Sequence, residues 1–182
     1  YFVFKTIANL ISTYPEYKNR IELKFAGKKE DWFQSMVDEF GLGPQVEHLG
    51  WISQDESLRF QSSCDFLLMT SAKVIGGKDY SIAGKTFEYF RMQKPILAFV
   101  TEGAQKDLLE ESKIAYFIDV DSVEQGVEQL KVLLSKPLIF KPNKSFINSF
   151  KLDNLTQRFA NVINEVIKQT NEKNSNSRRN EA

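Results

Sequence analysis

The sequence of 182 residues holds one cysteine, Cys64, and one histidine, His48. A single thiol excludes an internal disulfide framework, and with the lone imidazole it excludes a Cys/His zinc cluster. Net charge is also missing, since 24 Lys and Arg balance 24 Asp and Glu. No global field therefore selects for nucleic acid or for a strongly anionic membrane. No apolar run approaches the roughly 20 residues that span a bilayer. What is present is 42% hydrophobic and 13% aromatic residues, a composition that fits one globular domain with a real core. Tyr1 already falls inside a helical pattern, "YFVFKTIANLISTY". The chain is therefore read as starting within a longer protein.

Periodicity gives the architecture. Phe4, Ile7, Ala8, Leu10 and Ile11 follow a helical repeat that Pro15 ends. "IELKFAG" (21–27) alternates like a strand and stops at Gly27. "EDWFQSMVDEFGL" places Trp32, Phe33, Met36, Val37 and Phe40 on one helical face, closed by Gly41. "VEHLGWI" (46–52) is a short strand, and Ser53 caps the next helix with Glu56 in the capping-box position. "CDFLLMTS" (64–71) suits the middle of a sheet covered on both faces. Then follow the helix "GKTFEYFRMQ", the strand "PILAFV", the helix "QKDLLEES", the strand "AYFIDV" and the helix "SVEQGVEQLKVLLSK". Residues 152 to 168 carry an apolar stripe of Leu155, Phe159, Val162, Ile163 and Val166. This order, a helix and then five β–α alternations, predicts an α/β domain over residues 1–168. Its parallel sheet has helices on both faces. The polar tail 169–182 is expected to be disordered.

In open parallel sheets, ligands sit beyond the carboxyl ends of the strands. Those ends are Gly27-Lys28, Trp51 to Ser53, Ser71 to Tyr80 and Thr101 to Gly103. The loop from Ala72 to Ala83 is the longest strand-to-helix connection, and long loops in compact domains tend to be functional. It leads into Gly84-Lys85-Thr86, which has the look of the end of a P-loop. A Walker A motif needs a glycine five residues before Gly84, where Asp79 stands, and Gly77 lies too early. The P-loop reading is rejected. The other reading makes Ser81 the N-cap, so that the unpaired amides of Ile82, Ala83 and Gly84 form an anion site suited to a diphosphate. Glu88 lies one turn on and leans back over the bare Gly84. Its carboxylate would accept two hydrogen bonds from a vicinal diol, as on a ribose. The alternative is that Glu88 only favours the positive end of the helix. Lys85 is either a solvated lysine or a phosphate counter-charge.

"GKTFEYFRMQKPILAF" resembles the helix and strand of the C-terminal, donor-binding domain of retaining GT-B glycosyltransferases. The shared pattern is K-x-x-E-Y followed by a K-P-I/V-L-A strand, here Lys85, Glu88, Tyr89, Lys94, Pro95, Ile96, Leu97 and Ala98. "LKFAGK", "VEHLGWISQDE" and "CDFLLMTS" agree in order and spacing. The resemblance implies a Rossmann-like half of a GT-B architecture, with Glu88 on the ribose of a nucleoside-diphosphate sugar. The turn before Gly84 would hold the diphosphate, and Trp51 and Ile52 would line the base. It implies an acceptor glycan or lipid-linked saccharide held by an N-terminal domain outside this chain, no cofactor, no metal and no nucleic-acid partner. The first strand of the domain would also lie upstream of Tyr1, and the fragment alone would be inactive. The expected setting is polysaccharide biosynthesis in the cytoplasm, with the full-length protein peripheral at the inner face of a membrane. The rival readings are a nucleotide-sugar epimerase of GT-B-like fold and a non-catalytic nucleotide-binding module. One departure keeps the last alive: where the family often has a second glutamate, eight residues before Glu88, this chain has Tyr80, with Asp79 beside it.

Other candidates are weighed against simpler roles. Asp119-Val120-Asp121 could hold a divalent metal, but its place before a helix favours Asp121 or Ser122 as a cap. His48 is read as a surface or packed histidine, and Cys64 as a small hydrophobe. Lys28-Lys29, following Gly27, could add positive charge near a diphosphate; a solvated loop is the simpler account. Arg178-Arg179 is too short a cluster for membrane binding.

Overall fold

A computed structural model describes residues 1–74 and 76–180, with the side chains of 172–180 outside the description. The chain divides into two compact units, residues 1–142 and residues 143 onward. The first unit is α/β. Helix α1 (Phe2–Thr13) turns Val3, Phe4, Ile7 and Leu10 inward and stops before Pro15. The alternation then runs β1 (Leu23–Phe25), α2 (Asp31–Glu39), β2 (Val46–His48), α3 (Gln54–Ser63) and β3 (Leu67–Thr70). It continues with α4 (Lys85–Met92), β4 (Ile96–Phe99), α5 (Ala104–Ser112), β5 (Ala115–Phe117) and α6 (Val123–Ser135). All strand pairs are parallel, as the alternation requires.

The strands form two parallel sheets, β1-β2 and β3-β4-β5, where the sequence predicts one. The amides of Leu67 and Ser71 point to β4, bonding to Pro95 O and Phe99 O. The alternation of a parallel ladder then turns the backbone of Leu68 away from β4, toward the edge that carries no strand among the described residues. There the Leu68 carbonyl accepts from Tyr89 Oη at 3.3 Å and lies 3.5 Å from Lys85 Nζ. Side chains of α4 thus take the place of a neighbouring strand.

Both faces of the three-stranded sheet are covered. Phe99 is buried, and Leu68 and Leu97 are partly buried, against a cluster built by α1 and α6, including Phe4, Ile7, Leu10, Val127 and Leu130. On the opposite face Leu67, Met69, Ile96 and Ala98 are buried as well. Phe4, Phe25 and Phe33 extend the core toward β1, with ring centroids 4.9 to 5.9 Å apart.

The second unit holds α7 (Lys144–Asn148), which the periodicity does not anticipate, and α8 (Leu152–Asn180). The expected domain end at 168 falls inside α8. The segment 169–180 contains neither glycine nor proline, so nothing in it breaks a helix already nucleated upstream. Residues 181–182 lie outside the described residues. Among the described residues, no helix is long and apolar enough to cross a membrane.

Candidate functional site

The site grows from the way the loop between β3 and α4 is pinned. At its start, Thr101 N donates to Ser71 Oγ at 2.9 Å, and the two hydroxyls lie 3.2 Å apart. At its end, Asp79 forms one parallel bridge with Gly103. Asp79 N donates to Glu102 O at 3.0 Å, and Ala104 N to Asp79 O at 2.8 Å. Gly103 is obligatory here: φ is +146°, and a Cβ would stand 1.9 Å from Asp79 O. The bridge buries Asp79. Its Oδ1 accepts from Ser81 N at 2.9 Å and Ser81 Oγ at 2.6 Å. Those bonds, the hydroxyl's first and then the amide's, hold the carboxyl below the usual range. Among the described residues, Oδ2 has no partner.

This Asx turn revises the expected cap. Ser81 does not cap α4, because its hydroxyl is already committed to Asp79 two residues earlier. Gly84 stands in the cap position, with no side-chain cap. Its φ of −55° is ordinary helical backbone, and a Cβ there would meet nothing within 4 Å. Neither conformation nor space calls for a glycine at this point.

The amides of the turn are not equivalent. Ala83 N donates to Gln105 Oε1 at 2.9 Å, and Thr86 Oγ1 donates to the same oxygen at 3.0 Å. The expected anion site over Ile82, Ala83 and Gly84 therefore loses Ala83. Among the described residues, the amides of Ile82, Gly84 and Lys85 have no hydrogen-bond acceptor. Gln105 itself is 3% exposed. An amide donor faces its Oε1, which fixes the orientation of its carboxamide, and among the described residues its buried Nε2 has no partner.

Glu88 is exposed, one turn into α4, as the spacing predicts. Gln61 Nε2, from α3, donates to its Oε2 at 3.2 Å. The Lys85 ammonium lies against the Leu68 carbonyl, 5.9 Å from the Tyr89 ring centre, rather than over the turn. Desolvation there lowers its pKa. Burial pushes the Tyr89 hydroxyl up to about 12. Tyr80 is 80% exposed.

The other expected residues gather at the ends of β1 and β2. Gly27 N donates to Gly50 O at 2.8 Å, which brings Gly27-Lys28 beside Trp51-Ile52. Trp51 is 81% exposed and Ile52 is half-buried. Lys28 pairs with Glu30 at 3.2 Å. Among the described residues, this group shares no hydrogen bond or ion pair with the α4 turn. His48 is packed: Nδ1 accepts from Gly50 N at 3.1 Å, and its ring meets Phe33 edge-on at 5.1 Å. The Asp119 carboxylate accepts from Asp121 N and Ser122 N, and Ser122 caps α6. That carboxylate orders the start of α6, the role the cap reading assigns to this stretch.

Two buried residues of the site escape the sequence reading, Gln61 and Gln105. Each is a polar residue within an amphipathic helix, where it reads as surface. Their partners lie 27 and 22 residues away in the chain, so no local pattern marks them.

With this geometry in hand, comparison with known proteins supplies the family. No curated protein matches the chain. Residues 3–152 match the family model described as Glycosyl transferases group 1, which takes in both units' junction and all five strands. The chain belongs to the group 1 glycosyl transferases.

Proposed function

We propose that the chain is the donor-binding part of a glycosyltransferase and takes a nucleoside-diphosphate sugar at the start of α4. The diphosphate accepts from the open amides of Gly84 and Lys85, with Ile82 beside them, where the unpaired N–H groups and the helix dipole favour an anion. The ribose diol donates to Glu88, one turn further along. Departure of the diphosphate is helped by the same fixed dipoles, which need no reorganisation as charge develops. Trp51 and Ile52 face the base, and the acceptor, a glycan or lipid-linked saccharide, is held by sequence outside residues 1–182.

The observation that carries this reading is Gly84. A glycine occupies an uncapped helix start although neither φ nor crowding requires one. Its use is then to let something approach the backbone closely. Calorimetry with UDP, GDP and ADP tests the reading. One of them binds the full-length protein, and Glu88→Ala weakens that binding about 30-fold, as for a lost pair of charge-assisted hydrogen bonds. Thermal stability changes little, because the side chain is exposed. Binding unaffected by Glu88→Ala contradicts the proposal.

A further inference from the structure

We propose that Gln61 is the positioning residue of this site: it holds one oxygen of Glu88 so that the other faces the ligand. The inference rests on Glu88 being the ribose ligand. Gln61 is 8% exposed and sits on α3. Its Nε2 spends both protons, one on Ser57 Oγ and one on Glu88 Oε2, each at 3.2 Å. A carboxylate offers only acceptors, so the amide nitrogen must face it. The consequence is a buried Oε1 with no partner among the described residues. Leaving such an acceptor unpaired costs stability, and Gln61 bears that cost while its nitrogen holds Glu88.

The chemistry of the donor matters. A lysine or arginine in the place of Gln61 would neutralise the carboxylate and compete with hydroxyl donors for it. A carboxamide instead fixes the rotamer and leaves the charge in place. An exposed glutamate otherwise has three free torsions to lose on binding, so a neutral tether from a buried side chain on a neighbouring helix pre-organises it. Among the described residues only Oε2 is taken, and Oε1 stays open to a diol.

The test compares ribonucleoside diphosphates with their 2′-deoxy counterparts, using whichever base binds, on the full-length protein. Glu88→Ala abolishes the preference for ribose. Gln61→Leu lowers ribonucleotide affinity about 5-fold and shrinks the ribose preference by a similar factor, in keeping with one lost hydrogen bond to a charged group. In the Glu88→Ala background, Gln61→Leu has no further effect on affinity. Gln61→Met, which keeps the bulk and removes the donor, gives the same result if the leucine variant folds poorly. A structural tie alone would lower the melting temperature and leave the ribose preference intact. Native affinity and native preference in Gln61→Met, with both lost in Glu88→Ala, overturns the role of Gln61 alone. An unchanged ribose preference in Glu88→Ala overturns the reading of the site with it.

Discussion

Two helices of the first unit begin in opposite ways. At the start of α3, Ser53 Oγ accepts from Glu56 N at 3.3 Å, and Glu56 Oε2 accepts from Ser53 N at 2.8 Å. The capping box is complete, and the Ser53 bonds hold the Glu56 carboxyl below its usual range. At the start of α4 there is no side-chain cap, and the acidic residue of the first turn is tied to a neighbouring helix instead. The α3 end supplies its own anion. The α4 end has no such cap, and among the described residues the amides of Ile82, Gly84 and Lys85 have no acceptor. Both ends carry a glutamate in the first turn. The difference lies in where the carboxylate goes, which depends on a serine three residues before Glu56 and a glutamine from another element beside Glu88.

Substitutions can break this contrast. The largest effect is expected from Gly103→Ala, which drives a methyl into the Asp79 backbone and forces a residue with a side chain to φ +146°. It should cost more than about 3 kcal/mol or detach the loop, by analogy with other strained and overpacked sites. Chemical denaturation and nucleotide titration should report the two losses together. Gly84→Ala separates the two properties. The fold should change by no more than about 1 kcal/mol, because the native φ accepts an alanine, while nucleotide affinity falls several-fold. Ser53→Ala is the reverse and the smallest: about 1 kcal/mol of stability lost through the cap, with nucleotide affinity unchanged. A fall in affinity for Ser53→Ala as large as for Gly84→Ala would erase the distinction between the two ends.

Much of the architecture was legible because it rests on local pattern. The helical repeat of α1, the capping box at Ser53 and the alternation of strands and helices are all contained in short windows. So is the placement of Gly84 and Glu88 at the start of one helix. The strands proved shorter than their apolar runs: residues 64–71 yield only Leu67–Thr70, since the run extends beyond the ladder. The expected N-cap failed because Asp79, two residues upstream, outcompetes the helix for Ser81. The division into two sheets was invisible for a different reason. Parallel pairing is set by which strands lie side by side, and a strand's own sequence records only that it is buried. Gln61 and Gln105 were missed because a buried glutamine in a helix looks like an exposed one until its distant partner is known.

The central claim is that the open start of α4, and not the closed start of α3, receives the diphosphate. Amide chemical shifts followed during titration with a nucleoside diphosphate test it residue by residue. The account predicts saturable shifts at Gly84, Lys85 and Glu88, with the amides of Ser53 and Glu56 unmoved. Shifts confined to α3 or to the ends of β1 and β2, with Gly84 and Lys85 still, would contradict it.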